Sequence, residues 1–393
     1  MTSSQWRAVA VVIGALSLSG CSSEPTIRPP GAPRLAAIER LRVGSVDDPE
    51  TSLTSIRAVE IGPDGRIYTL HHRERLIRIH APEGTPLGSF GGRGEGPGEL
   101  ESPFRMNLID GELRVWDTRT FRLSRFDLEG QFLGLATYRP KPFEHPYLRP
   151  PRPTWALPDM TFIGEFGLNS IPGAEEQGDS PVLRLALDGD ILDTLVIRPL
   201  EGDQLNVDVG TGEPNFTGPP YGWGPIVAVS PARMELVVAE RDVYPAEPRM
   251  RVTRSSVGGD TFWSREYPYD PVPVDPDHVE AVVANFARVV EQAGWTTARR
   301  AAEAYRGSMV IPEHTPPLTR VVIGRDGSIW LELADNDDTA NHWLLLDSSG
   351  ELHGQVSLPE RFFVRYATLE EVWGMELDEL DIPYLVLYTL EDE

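Results

Sequence analysis

The sequence predicts an all-β protein, a six-bladed β-propeller of four-stranded antiparallel blades with a helical hairpin inserted between blades four and five. Three observations support this prediction. Short β-forming stretches are separated by Asp-Gly turns, which are the strongest local indication of a β-hairpin. The turns recur with a period of about 46 residues, which suits a repeat of four strands. One long segment, 268–317, has helical periodicity instead.

The N-terminal 20 residues are typical of a signal peptide. Arg7 precedes an apolar run from Ala8 to Leu18, which is too short to span a bilayer comfortably. The following Ser19-Gly20-Cys21 resembles a bacterial lipobox, in which the cysteine thiol receives the lipid. A free thiol after an ordinary signal peptide is the alternative. We expect lipid attachment at Cys21 and an extracytoplasmic location.

Residues 21–35 form a proline-rich tether that lacks the apolar content of a core. Ser22 stands where similar lipoproteins of the inner membrane carry an aspartate, so the resemblance implies the outer membrane. The membrane is therefore the first expected partner, through the N-terminal lipid.

The blades occupy residues 36–393. Asp64-Gly65, Asp110-Gly111 and Asp326-Gly327 each precede an apolar strand, and they mark the clearest repeats. Weaker repeats cover residues 152–200 and 222–267. The six repeats begin near residues 57, 105, 152, 222, 318 and 361. The last repeat contains only three strands, and we expect residues 36–44 to supply the fourth, which leaves no open sheet edge.

Two segments, Gly65 to Leu100 and Arg114 to Gly130, resemble NHL-type repeats. Through them the chain is similar to bacterial six-bladed β-propeller lipoproteins with NHL-like repeats. The resemblance implies the fold, but that group has no single known activity.

Composition excludes several functions. The chain has 60 Asp and Glu against 36 Lys and Arg, a net charge of −24, so we expect no nucleic-acid partner. Its single lysine, Lys141, lies between two prolines, which argues against a phosphate-loop or Schiff-base lysine. A single cysteine excludes an intramolecular disulfide and a cysteine zinc cluster. No G-x-S-x-G nucleophile motif is present.

The long connections should all emerge on one face of the propeller, which we name the loop-rich face. In a four-stranded blade, this face carries the connection between strands two and three and the connection to the next blade. Its long segments are 91–103, 139–153, 200–221 and 268–317. In the last of these, Asp275 and Pro276 are suited to begin a helix and Gly294 to end it, and Thr296 to Arg306 forms a second helix. This hairpin either covers apolar blade surface or moves as a lid.

Polar loops on the loop-rich face supply the candidate ligand-binding residues, with a solvated loop as the alternative. Adjacent histidines on an extended segment point to opposite sides, so at most one of them faces the channel. Trp223 is the best candidate for an exposed stacking surface. The tentative ligand-binding residues are His71, His72, Arg73, Asp117, Arg119, Trp223 and Arg241.

Cofactor motifs are incomplete. The glycine run Gly91 to Gly98 could approach a phosphate, but no helix and no lysine follow it. Asp335 to Asp338 resembles the start of a calcium loop but lacks its glycine and closing glutamate. The sequence therefore predicts no cofactor and no catalytic residue. A site for a divalent metal such as calcium, with ligands from different blades, is an alternative that the sequence leaves open.

Two functional hypotheses follow. The first, which the sequence favours over an enzyme, is a monomeric binding or scaffold module that presents its loop-rich face to a peptide, glycan or protein ligand. The second is a metal-dependent hydrolase or lyase, resembling lactonases, with a site in the central channel. The second requires at least three Asp, Glu, Asn or His side chains from different blades near the channel axis. A sensor whose helical insertion rearranges on ligand binding is a third possibility.

Overall fold

The structure is a computed structural model. It describes residues 32–45, 51–142, 144, 148–168, 179–199, 205–210, 216–217, 219–241, 248–334 and 339–393. The signal peptide, Cys21, most of the tether and Asp335 to Asp338 lie outside the described residues. Within the described part of the chain, no helix has both the length and the apolar character needed to cross a membrane.

Four separate antiparallel sheets of four strands follow one another in chain order, apart from a short two-stranded ribbon. The first contains β2 (Ile56–Ile61), β3 (Ile67–His71), β4 (Leu76–His80) and β5 (Pro86–Gly91). The second contains β6 (Pro103–Ile109), β7 (Glu112–Asp117), β8 (Arg122–Phe126) and β9 (Phe132–Thr137). The third contains β10 (Leu148–Ala156), β11 (Phe162–Leu168), β12 (Asp179–Leu185) and β13 (Ile191–Pro199). The ribbon is β14 (Leu205–Asn206) with β15 (Phe216–Thr217), and the fourth sheet contains β16 (Ile226–Ser230), β17 (Glu235–Glu240), β18 (Arg249–Ser256) and β19 (Thr261–Pro268).

The remaining strands form one eight-stranded sheet that joins the two ends of the chain. Its strands are β20 (Leu318–Ile323), β21 (Ile329–Leu333), β22 (Ala340–Leu346), β23 (Leu352–Pro359), β24 (Phe362–Ala367), β25 (Glu371–Leu377), β26 (Pro383–Asp392) and β1 (Arg34–Val43). β1 lies antiparallel to β26 and touches β23 in parallel over only two residue pairs. The N-terminal strand is thereby held by the C-terminal one.

The hairpins follow from their turn residues. Gly65, Gly111 and Gly327 have φ of 81°, 77° and 88°, in the region where a side chain would be strained. The carboxylates of Asp64 and Asp326 accept hydrogen bonds from the backbone N–H two residues later, at 3.1 and 3.0 Å. The turn chemistry therefore fixes where each first strand ends and each second strand begins.

Two helices lie between β19 and β20 in the chain. α1 (Pro276–Gln292) begins at Asp275, whose side chain accepts a hydrogen bond from the N–H of Asp277. α2 (Ala298–Ser308) begins at Thr297, whose hydroxyl accepts from the N–H of Arg300. The helices pack on each other through a stacked ring pair, Phe286 and Tyr305, with centroids 4.3 Å apart. Val207 and Val209 belong to the same buried cluster, so the helices also cover the segment after β14.

The core consists of apolar layers between neighbouring sheets. One cluster joins the first and second sheets, and another joins the fourth sheet to β20–β22. Trp116, Trp330 and Trp373, all on second strands, are buried in these layers or in similar ones. The result is an all-β, propeller-like arrangement of sheets packed face to face.

Candidate functional site

The first strands of the sheets surround a common cavity of about 500 Å³, which we name the channel. Residues of β2, β6, β16, β20 and β24 line it, together with Trp155 of β10. Each first strand starts after a connection on the loop-rich face and ends at a hairpin turn on the opposite face. The N-terminal half of each first strand therefore lies toward the loop-rich face.

Of the five arginines that line the channel, Arg325 lies in the turn after β20. The other four, Arg57, Arg105, Arg320 and Arg365, lie on first strands. Each lies at an irregularity in the pairing of a first strand with its second strand. The register shifts at Arg57 and at Arg365, and it shifts immediately before Arg105 and Arg320. An extra residue in a strand re-aims the side chains beside it. These bulges account for charged side chains that point into the channel from strands whose other residues are mostly apolar.

Aromatic rings hold the guanidinium groups. The guanidinium carbons of Arg57 and Arg105 lie 4.3 and 5.4 Å from the same ring centroid, that of Phe104. Arg105 also lies 4.5 Å from the Trp155 ring, and Arg320 lies 4.9 Å from the Trp343 ring. A guanidinium stacked by its face keeps its N–H groups directed outward in its plane, where they can donate to an oxyanion.

The cluster has little compensating negative charge. Arg57, Arg105 and Arg365 form no ion pair with any residue that the structure describes. Arg320 has one acidic neighbour, with its Nε 3.8 Å from an oxygen of Glu332. Buried Nε of Arg105 and Nε and Nη2 of Arg320 have no hydrogen-bond acceptor among the described residues. Buried donors without an acceptor cost free energy, so a ligand that supplies hydrogen-bond acceptors would bind favourably in the channel.

Burial and mutual repulsion lower the pKa values of the channel arginines. Burial, with smaller contributions from the charges of Arg320, Arg57 and Arg105, lowers the pKa of Arg365 to about 10. Burial and the charge of Arg57 likewise lower the pKa of Arg105 to about 10. Both groups still carry their charge at pH 7. Because Arg365 is influenced by all three others, the four charges act on one space.

The opposite end of the channel contains a buried carboxylate. Glu60 of β2 lies 3.0 Å from Nη2 of Arg325 and accepts a hydrogen bond from Asn107 at 3.5 Å. Burial raises the pKa of Glu60 to about 7, although the charge of Arg325 opposes this shift. The carboxylate is thus partnered by Arg325 and does not neutralise the four arginines.

A second cavity of about 500 Å³ lies on the loop-rich face, beside α1. Tyr221, Arg241, His278 and Asn341 are among its lining residues, and Glu332 lines it as well. The buried hydroxyl of Tyr221 has no hydrogen-bond partner within the described residues, and burial raises its pKa to about 12. Glu332 therefore borders this cavity and also faces Arg320 of the channel.

The residues predicted from the sequence fall into two groups. In the first, His71 is buried, with its Nε2 2.9 Å from the hydroxyl of Thr69. Burial lowers the pKa of His71 to about 4, so the ring is neutral at pH 7. The Nδ1–H of His72 donates to the carbonyl of Pro103 at 2.8 Å. Arg73 is exposed and is held by its backbone N–H, which donates to Ser55.

Asp117 is buried and accepts four backbone hydrogen bonds, from the N–H groups of Glu101, Ser102, Arg119 and Thr120, at 2.7 to 3.0 Å. Burial alone would raise the pKa of Asp117, but these four bonds outweigh it and the pKa is lowered. The carboxylate ties the start of β6 to the loop after β7. Arg119 is exposed, with Nε 3.7 Å from Glu101.

The second group is Trp223 and Arg241. Arg241 donates to the carbonyls of Gly224 and Leu318, at 2.7 and 3.2 Å, and borders the second cavity. Trp223 is half-buried one residue before Gly224. None of the seven predicted residues lines the channel.

The four arginines on first strands were not predicted from the sequence. A usable pattern was present, because each lies near the start of a repeat and has at least one apolar neighbour: Ile56-Arg57-Ala58, Phe104-Arg105-Met106, Thr319-Arg320-Val321 and Val364-Arg365-Tyr366. A charged residue that recurs in the innermost strand of several repeats predicts a shared lining.

The channel does not suit a divalent metal. Four guanidinium charges repel a cation, and Glu60 is already paired with Arg325. Among the described residues there is no group of three or more His, Cys, Asp and Glu side chains able to hold a metal ion. The glycine run Gly91 to Gly98 does not suit a phosphate either. The N–H of Gly96 already donates to the carboxylate of Glu99 at 2.7 Å, and that negative charge would repel a phosphate.

The chain is similar in backbone structure, and not in sequence, to several known proteins. No family model matches the chain, and no curated protein matches it in sequence. A solved member of the DUF4221 family from Bacteroides vulgatus is similar at 12% identity and a TM-score of 0.47, covering 92% of this chain and 100% of its own. The PQQ-bound aldose sugar dehydrogenase from Streptomyces coelicolor is similar at 14% identity and a TM-score of 0.41, covering 93% and 100%. Virginiamycin B lyase from Staphylococcus aureus is similar at 11% identity and a TM-score of 0.38, covering 91% and 99%.

Proposed function

We propose that this protein is a lipid-anchored, extracytoplasmic six-bladed β-propeller that binds an anionic ligand in its central channel. The eight-stranded sheet then comprises two blades, β20–β23 and β24–β26 with β1, and the helices form a hairpin inserted between blades four and five. The single observation that carries the ligand proposal is the set of four arginines on the channel's first strands, of which only Arg320 has an acidic partner among the described residues.

Binding explains an arrangement that stability alone does not. Like charges gathered in a partly enclosed space repel, on the order of 2 kcal/mol per pair at about 8 Å and an effective dielectric constant of 20. An oxyanion would satisfy the orphaned N–H groups of Arg105 and Arg320 and remove that repulsion. Sites of this kind give up stability for function.

The anchoring part of the proposal rests on the lipobox-like residues before Cys21. Mass spectrometry of the full-length chain, expressed in bacteria and extracted from membranes, tests it. We expect an N-terminal peptide that begins at Cys21 and carries the mass of attached lipid. An intact N-terminus at Met1, or an unmodified Cys21, would overturn it.

Isothermal titration of the detergent-purified full-length chain with inorganic phosphate and with glutarate tests anion binding. We expect measurable binding in chloride buffer at low ionic strength, and at least about tenfold weaker binding for Arg105→Gln. Arg299→Gln is the matched control, because Arg299 is exposed on α2 outside the channel. Absence of binding, or equal losses in both variants, would contradict the proposal.

A further inference from the structure

The four arginines occupy one side of the channel. β2 lies beside β6 and β24, and Val322 of β20 packs in the same apolar cluster as Val364 of β24. The strands that carry Arg57, Arg105, Arg365 and Arg320 therefore form one continuous side of the wall. The channel is therefore not uniformly cationic, and its charge is displaced from the axis toward these strands.

The remaining part of the wall is apolar. It is formed by Trp155 of β10 and by β16, whose Ile226, Val227 and Val229 line the channel and are partly exposed. No Asp, Glu, Lys or Arg of β16 faces this space, since the strand contains only Ile, Val, Ala and Ser. A fully hydrated inorganic anion would leave this surface unused.

The charge balance sets the number of negative charges on a ligand. Glu332 offsets part of one arginine charge, and three arginines have no acidic partner among the described residues. A ligand with two or three negative charges matches this excess, whereas a monocarboxylate leaves most of it unpaired. The aromatic faces of Phe104, Trp155 and Trp343 are occupied by guanidinium groups, so these rings support the arginines and are not counted as free stacking surface for a ligand.

Volume limits the ligand further. A space of about 500 Å³ falls within the range of small-molecule sites, and it is too small to enclose a folded partner or a polymer. A dicarboxylate or phosphate group leaves room beside it for an apolar substituent.

From these observations we infer that the channel binds a small amphiphilic dianion, with its carboxylates or phosphate against the arginines and its apolar part against the valines of β16. This inference rests on the proposed anion-binding function and specifies its ligand class. The two sources of charge, carboxylate and phosphate, share the same guanidinium chemistry.

Two matched ligand pairs test the inference by calorimetric titration of the detergent-purified full-length chain. They are glutarate with 3-phenylglutarate, and inorganic phosphate with phenyl phosphate. We expect the phenyl member of at least one pair to bind about tenfold more tightly than its parent, because it buries apolar area on β16. The pair that shows the gain identifies the charged group. Acetate should bind at least about tenfold more weakly than glutarate.

Two variants separate the contributions. Arg365→Gln should weaken parent and phenyl ligands by the same factor. Val227→Thr, similar in shape but polar, should reduce the ratio by which the phenyl ligand binds more tightly than its parent. Arg299→Gln, outside the channel, should leave the affinities for both ligands unchanged. If glutarate and phosphate bind and neither phenyl group helps, this inference fails while the proposed function stands. If no anion binds, the proposed function itself fails.

Discussion

Removing one channel arginine should stabilise the empty protein. Arg365→Gln eliminates three repulsive pairs, with Arg57, Arg105 and Arg320. At separations of about 8–10 Å, and with screening at moderate salt, their removal relieves on the order of 2–3 kcal/mol in total. The losses are small. Within the described residues, Arg365 donates two long hydrogen bonds, to the carbonyls of Ile56 at 3.4 Å and Val364 at 3.3 Å, and its guanidinium lies 5.9 Å from the Phe363 ring centroid.

Loss of these contacts costs about 1 kcal/mol, so the net gain in the free energy of unfolding is about 1–2 kcal/mol. For a chain of this length, that gain corresponds to a rise in Tm of roughly 1–3 °C. Differential scanning calorimetry in dilute chloride buffer measures it, with Arg299→Gln as the control. The gain should shrink in about 0.5 M NaCl, because salt screens the repulsion. A destabilised Arg365→Gln, or a gain that does not depend on salt, would refute the reasoning.

Three further predictions concern groups around the channel. Glu332→Gln should strengthen glutarate binding about two- to fivefold in calorimetry, because it removes the one carboxylate facing Arg320; unchanged or weaker binding would contradict this role. Glu60 has a folded-state pKa of about 7 against an ordinary value of 4.5, so its contribution to stability is complete below about pH 4.5 and is lost as the pH rises through 7. In wild-type protein this carboxyl should lower the free energy of unfolding, measured with urea, by up to about 3 kcal/mol between these pH values, and Glu60→Gln should remove that decline. An unaltered slope of the free energy of unfolding against pH would contradict the role of the buried carboxyl. Asp117→Ala should lower the free energy of unfolding by about 3 kcal/mol in the same assay, because four backbone N–H groups lose their acceptor, and a loss below about 1 kcal/mol would show that these bonds matter little.

The Glu60→Gln variant is needed because His71 also changes the pH dependence of stability. Its pKa is lowered to about 4 by burial, so its contribution is present above about pH 6.5 and is lost as the pH falls through 4. The two groups therefore change stability in opposite directions over overlapping pH ranges. The wild-type profile alone does not separate them.

Local sequence was sufficient for the turns and for the start of α1. An Asp-Gly pair specifies a turn whatever surrounds it, because glycine alone adopts a positive φ without strain and the aspartate bonds to the backbone nearby. Asp275 and Pro276 likewise begin α1, as predicted. The second helix begins at Ala298 after Thr297, two residues later than the predicted start, because the Thr297 hydroxyl provides the cap.

The sequence by itself determined an all-β, repeating, propeller-like chain, since periodicity and turn chemistry are local properties. Only the tertiary structure decided where the charges meet. Arg57 and Arg365 are far apart in the sequence, and the closure of the sheets brings both to one channel. The net charge of −24 is a sum over the whole chain, so it does not reveal the cationic side of the channel. Electrostatic interactions depend on distance in space and not on composition.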